Sequence, residues 1–141
     1  TLRTFAYFLM PSISPIEISQ QVRTVDFMPT ILDYVGIPLD KNYESIDGES
    51  LLPLIKGEKI SEKIAYSETG NPLEKDRPPK EPNTKSVRTS KWKLILNQYN
   101  NSKELYNLEL DPNEEKNLFG KGEKMESLLW EKLQKLEKVS N

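Results

Sequence analysis

The chain has no cysteine and no histidine in its 141 residues. These absences remove thiol and imidazole nucleophiles, Ser-His-Asp arrangements, zinc sites built on Cys or His, and disulfides. They leave the compartment open, because a cysteine-free domain suits cytosol and periplasm alike. An excess of one charge is also missing. Twenty basic side chains stand against 22 acidic ones, for a formal net charge of -2. Such a balance gives neither a nucleic-acid footprint nor a clamp for an anionic membrane, so neither partner is expected. The apolar run in TLRTFAYFLM is too brief to span a bilayer, and no small-residue cleavage site follows it.

What is present is a folded chain with a wet surface, 35% hydrophobic and 30% charged, in which apolar residues recur with clear periods. Its length has room for one sizeable core and suggests a single compact unit. Arg3 to Met10 reads as a buried strand ending at Pro11. From Thr24, Val25, Met28, Ile31, Leu32 and Val35 recur at helical spacing, with Asp26, Thr30 and Asp33 on the opposite, solvated side. Thr24 is placed to cap this helix and Gly36 to end it, with Pro29 near the first turn, where its missing N–H costs least. IDGESLLPLIKGEK then offers a turn at Asp47-Gly48, a cap at Ser50 and a short helical piece ended by Gly57.

The second half alternates as strands do. KIAYSETG precedes NPLEKDRPPKEPN, whose four prolines admit neither helix nor ladder and mark an exposed loop. KSVRTS, KWKLILNQ and KELYNL follow as the strands of an antiparallel meander, Trp92, Leu94 and Leu96 sharing a face. Glu123 to Val139 places Met125, Leu128, Leu129, Leu133, Leu136 and Val139 on one face of a helix, with its acids early and its lysines late.

The densest carboxylate cluster lies in ELYNLELDPNEEKNL, Glu104 to Leu118. Tyr106, Leu108 and Leu110 continue the strand alternation into it. Asp111, Pro112 and Glu114 then have capping-box spacing, with proline at the first helical position. Asp111, Asn113 and Glu115 are also spaced like the first ligands of a calcium loop. The sixth and twelfth positions of such a loop hold Lys116 and Gly122 here instead of glycine and glutamate, and the metal reading fails. Asp26 with Asp33, and Asp47 with Glu49, form no catalytic dyad. The cluster is expected to turn the chain.

Four stretches in register, TVDFMPTILDYVGIP, DGESLLPLIKG, VRTSKWKLIL and ELYNLELDPNEEKNL, resemble the C-terminal region of sulfatases, relatives of the alkaline phosphatases. The resemblance rests on Asp26, Pro29, Thr30 and Gly36; on Asp47, Gly48, Ser50 and Leu51; on Arg88, Trp92, Lys93 and Leu94; and on Leu105, Tyr106, Leu108, Asp111, Pro112, Glu114, Asn117 and Leu118. It implies an α+β fold: a small antiparallel sheet of about four strands packed with a long C-terminal helix, plus a strand-helix piece left over from a large α/β catalytic domain. Residues 1–60 would be the tail of that domain and residues 61–141 the sheet-and-helix subdomain.

The same resemblance implies calcium and formylglycine for the parent enzyme. The Cys- or Ser-x-Pro-x-Arg segment that yields formylglycine is absent from this chain. The chain is therefore expected to be catalytically inactive alone, with the N-terminal catalytic domain as partner and a sulfated small molecule or glycan as the parent's substrate. Lys75, Arg77 and Lys80 in the proline-rich loop are candidates for the substrate rim, set against the plainer reading of a solvated loop. Cutting beside an inner strand would expose an apolar edge, so the isolated chain is expected to dimerise. Two alternatives stand beside this one: the same region of a phosphonate or phosphodiester hydrolase, and a free-standing glycan- or protein-binding module.

Overall fold

The computed structural model describes residues 5–11, 13–38, 47–69 and 83–139. A 3₁₀ turn, Thr24–Asp26, leads into α1, Phe27–Tyr34; α2, Leu52–Ile55, follows, then β1 Ala65–Thr69, β2 Thr84–Arg88, β3 Trp92–Asn97, β4 Ser102–Asn107 and α3 Lys124–Val139. The chain divides into two units rather than the one its length suggests. The first comprises Thr1–Gln20 with Thr24–Ser61, the second Gln21–Arg23 with Glu62–Asn141.

In the second unit the strands form an antiparallel meander in the order β1-β2-β3-β4. Its register aligns Tyr66, Val87, Leu94 and Leu105 in one row across the sheet. Alternation puts all four side chains on one face, and α3 covers that face, so Val87, Leu94 and Leu105 are sealed together with Leu129 and Leu133. Trp92, Leu96, Met125, Trp130 and Leu136 pack around them. The leucine stripe of α3 is narrower than its sequence suggests: Leu128, one residue off the central line, remains exposed. The side chain of Val139 lies outside the described residues.

Turn chemistry fixes the register. Between β2 and β3, the Thr89 hydroxyl accepts the backbone N–H groups of Lys91 (3.3 Å) and Trp92 (2.9 Å). Between β3 and β4, Asn101 takes a left-handed conformation at φ 55°, which asparagine tolerates better than other side chains. The outer edge of β4 is closed by the segment after it. The Asn117 carboxamide accepts from Leu105 N–H (3.0 Å) and donates to Lys103 carbonyl (3.0 Å), while Leu118 N–H reaches Leu105 carbonyl at 2.8 Å. An edge satisfied in this way no longer offers a template to another strand.

The first unit departs further from expectation. Residues 5–10 form no strand, since within the described residues no neighbouring ladder receives them. Phe8 and Met10 turn inward, Phe8 meeting Phe27 edge-on at 5.2 Å, whereas Tyr7 and Leu9 are more than four-fifths exposed. Helix α1 is inverted with respect to its pattern. Asp26 (2% exposed) and Thr30 (0%) are buried beside Pro29, Leu32 is half-buried, and Val25, Met28, Ile31 and Val35 are each 47–55% exposed.

The buried polar side of α1 grips the segment before α2. Asp26 carboxylate accepts Glu49 N–H (3.0 Å), Thr30 hydroxyl accepts Leu51 N–H (2.9 Å) and Ser50 hydroxyl donates to Asp33 (2.5 Å). Thr30 in turn donates to the Asp26 carbonyl one turn back. Each buried polar group thus has a partner, which is what makes its burial tolerable. Gly48 allows the approach, because a Cβ added there would lie 2.0 Å from the Val25 carbonyl oxygen. Gly48→Ala therefore has to push the two segments apart, with an expected loss of about 1–3 kcal/mol in urea denaturation. A wild-type stability for that variant would show that the two segments do not meet in this way.

Both short helices end alike. Beyond α1, Ile37 N–H bonds to Leu32 carbonyl and Gly36 N–H to Asp33 carbonyl, with Gly36 at φ 73°. This is a Schellman closure, and it needs a residue that accepts positive φ. Gly57 performs the same task for α2.

Candidate functional site

Lys75, Arg77 and Lys80, the candidates for the substrate rim, lie outside the described residues. In sequence they fall between Thr69 and Thr84, which are paired at the end of the β1–β2 ladder. At that end of the ladder is a polar cluster on the helix-covered face. Lys85 shares this face with Val87, and its ammonium lies 2.6 Å from Glu137 on α3 and 3.9 Å from Glu68 on β1. The Asn83 side chain donates to Glu68 at 2.5 Å, and Tyr66 hydroxyl donates to the other Glu68 oxygen at 2.7 Å. The backbone of Asn83 is tied to Gln98 in both directions, N–H to side chain at 2.8 Å and carbonyl to N–H at 2.9 Å.

Chemically this cluster is an anchor. Burial, and then the hydrogen bond to Glu68, push the Tyr66 phenol well above its usual range, so it stays protonated as a donor. The Lys85 ammonium is held between two carboxylates. The sequence contained a signal for it: a lysine at a strand position whose parity matches the core residue two places on requires a buried countercharge.

The carboxylate-rich run after β4 forms a second cluster. Strand β4 ends at Asn107, earlier than the alternation through Leu110 suggests, and Leu110 is exposed. Asp111 begins no helix. Its two carboxylate oxygens accept the backbone N–H groups of Glu115 (3.0 Å) and Lys116 (2.8 Å), folding residues 111–116 into a tight loop. Those bonds hold the Asp111 carboxyl below its ordinary value of 3.8. A carboxyl depressed on folding stabilises the folded state above its unfolded pKa, and loses that contribution as pH falls through the folded value. Asp111→Asn should therefore flatten the loss of stability between about pH 5 and pH 2 relative to wild type. An unchanged acid limb in pH-dependent denaturation would show that these bonds do not stabilise the fold.

Glu114 does not close a capping box. It stands at φ 60° and turns its carboxylate to Lys93, 2.5 Å away and nearly buried on the sheet face opposite α3. Beside it Tyr106 donates to Glu104 at 2.8 Å, and burial followed by that bond pushes the Tyr106 phenol up to about 12. The ion pair joins two of the sequence motifs, the Lys of SKWKL and the Glu of DPNEEKNL. Local pattern reading missed it because the partners are 21 residues apart.

The carboxylates of Asp26, Glu68, Glu104, Asp111, Glu114 and Glu137 are thus engaged in holding backbone or buried side chains, and Asp33 accepts from the Ser50 hydroxyl at an exposed site. Among the described residues no three His, Cys, Asp or Glu side chains converge as a metal site would require. No described helix is long and apolar enough to cross a membrane.

Comparison with known proteins places this architecture. Residues 10–140 match the family model described as N-sulphoglucosamine sulphohydrolase, C-terminal. Among solved structures, BT4656 in complex with its substrate D-glucosamine-2-N,6-O-disulfate is similar at 29% identity and a TM-score of 0.61, over 80% of this chain and 23% of that one. BT1596, a 2-O GAG sulfatase, is similar at 28% identity and a TM-score of 0.57, over 81% of this chain and 23% of that one. No curated protein sequence matches. The chain therefore spans about a quarter of the length of the solved sulfatases it resembles.

Proposed function

Because the chain belongs to the family of N-sulphoglucosamine sulphohydrolase C-terminal regions, we propose that it serves as the non-catalytic C-terminal part of an enzyme hydrolysing sulfate esters of amino sugars. One observation carries this reading: several of the motif residues that make the family resemblance are engaged in holding the fold. Asp26, Thr30, Gly48 and Ser50 bind one segment to another, Lys93 pairs with Glu114, and Asn117 closes the β4 edge. Motif residues engaged in this way describe a scaffold, with the buried Nε of Arg88, which has no hydrogen-bond partner among the described residues, as the exception.

The formylglycine that the family implies for the parent enzyme has no precursor segment in this sequence, and among the described residues the acids form no calcium site. The chain has no cysteine to convert and no Ser-x-Pro-x-Arg segment. No step of the reaction is assigned to it. Its contribution is positional: residues 1–60 complete the edge of the catalytic α/β domain, and the sheet of residues 61–141 presents the proline-rich loop to the substrate cleft.

In that role Lys75, Arg77 and Lys80 meet the sulfate groups of a sugar like the one bound to BT4656, arginine favoured by its planar, bidentate donors. The anchor of Asn83, Glu68 and Lys85 gives this loop a fixed base. In the complete enzyme, Arg77→Ala is expected to raise KM for a disulfated glucosamine with little change in kcat, the signature of binding lost equally from ground and transition states. Identical kinetics on every sulfated sugar tried would remove the loop from the substrate's surroundings.

A further inference from the structure

We infer that Arg88 is a ligand-binding residue whose guanidinium, on the sheet face opposite α3, holds an anionic group of the sugar other than the sulfate being cleaved. The inference rests on the proposed function and narrows its substrate to amino sugars that carry two anionic groups.

Arg88 ends β2 one residue after Val87, so strand alternation turns it away from the helix-covered core. In the register it stands directly opposite Lys93, and Tyr106 follows in the same row. Two cations placed face to face repel one another unless each has a counter-ion. Lys93 has Glu114, and Tyr106 gives its hydroxyl to Glu104. Arg88 has nothing comparable. Its Nε is buried without an acceptor, and among the described residues no carboxylate pairs with its guanidinium. A half-buried arginine with unmet donors beside a second cation is prepared for an oxyanion.

Gln21 supplies a second observation. Its carboxamide nitrogen donates to the carbonyls of Arg88 (3.0 Å) and Lys63 (3.3 Å), which fixes the orientation of the amide. The carboxamide oxygen is left buried with no donor. An unmet donor and an unmet acceptor thus belong to one strand end. A carboxylate from another protein segment would satisfy Arg88 but set its oxygens against that of Gln21. A sugar with an anionic substituent satisfies both, the oxyanion accepting from Arg88 and a neighbouring hydroxyl or N–H donating to Gln21.

Phenylglyoxal, which modifies accessible arginine side chains, tests the site in the complete wild-type enzyme, with adducts at Arg88 read by peptide mass spectrometry. Arg88 is expected to react in the free enzyme. Addition of D-glucosamine-2-N,6-O-disulfate at ten times its Kd should slow that reaction about tenfold, whereas glucosamine without sulfate should not. In the same enzyme, Arg88→Gln is expected to raise KM for the disulfated sugar about tenfold more than KM for glucosamine carrying either sulfate alone, with kcat nearly constant. An arginine with a purely structural role would shift all three substrates alike.

An Arg88 that is unreactive in the free enzyme is covered by protein and overturns the inference. Reaction at the same rate with and without the disulfated sugar overturns it as well, and neither result depends on the variant folding. So do equal changes in KM on all three substrates. Wild-type turnover of a sulfated amino sugar beside any of these results leaves the proposed function standing, and a complete chain inert to every sulfated sugar removes both.

Discussion

Leu94→Ala is expected to lower the stability of the polypeptide by about 3–4 kcal/mol, near the middle of the range for a leucine truncated in a closed core. Leu94 sits at the centre of β3, between Val87 and Leu105, beneath a helix that contributes Leu129 and Leu133, and all five are fully buried. A strand with neighbours on both sides and a helix above has little freedom to collapse into the space left by the missing methyl groups. The cavity therefore persists and adds to the lost transfer energy. Leu128→Ala is the comparison. That side chain is 45% exposed, and its truncation should cost about 0.5 kcal/mol or less. Chemical denaturation of the two variants checks the pair, and equal losses would mean that α3 packs through a different face.

Glu114→Ala should cost about 3 kcal/mol, because it leaves the ammonium of Lys93 in the sheet without its countercharge. The partial exposure of Glu114 puts the estimate at the low end of what breaking a buried pair costs. A capping-box glutamate would give only about 1 kcal/mol, so the magnitude distinguishes the two arrangements. The double variant Lys93→Met with Glu114→Leu provides a second check. Replacing both charges by apolar groups should recover most of the loss, since the penalty comes from the orphaned charge and not from a strong net attraction. A double variant no more stable than Glu114→Ala alone would contradict this account of the pair. The positive φ of Glu114 fits the same view: a non-glycine residue keeps a left-handed conformation, at a cost of about 1 kcal/mol, when its side chain is needed where that conformation sends it.

The sheet was readable from the sequence because its signals are local. Alternation in KWKLILNQ and KELYNL, the turn residues between them, and the helical spacing of Met125, Leu129, Leu133 and Leu136 each need only a few neighbouring residues, and the structure follows them. The inversion of α1 was not readable in this way. Periodicity marks which residues share a side but not which side is covered, and that is decided by a segment some twenty residues further on. Asp111 illustrates a narrower ambiguity. Asp-Pro followed by glutamate suits a helix start or an Asx-type loop equally, and only the tertiary partner of Glu114, Lys93, selects the loop. Lys75, Arg77 and Lys80 rest on composition alone, where charge and proline describe a loop's solvent preference without fixing what it touches.

The central claim is that this chain holds and shapes while the bond-breaking groups reside elsewhere. The most direct measurement is hydrolysis of D-glucosamine-2-N,6-O-disulfate by the purified 141-residue polypeptide, followed as sulfate release with and without added calcium, beside the complete chain under the same conditions. The account predicts release by the complete chain and none above buffer from the polypeptide. Sulfate release by the polypeptide alone, abolished when its own residues are changed and not by removal of a contaminant, would contradict it.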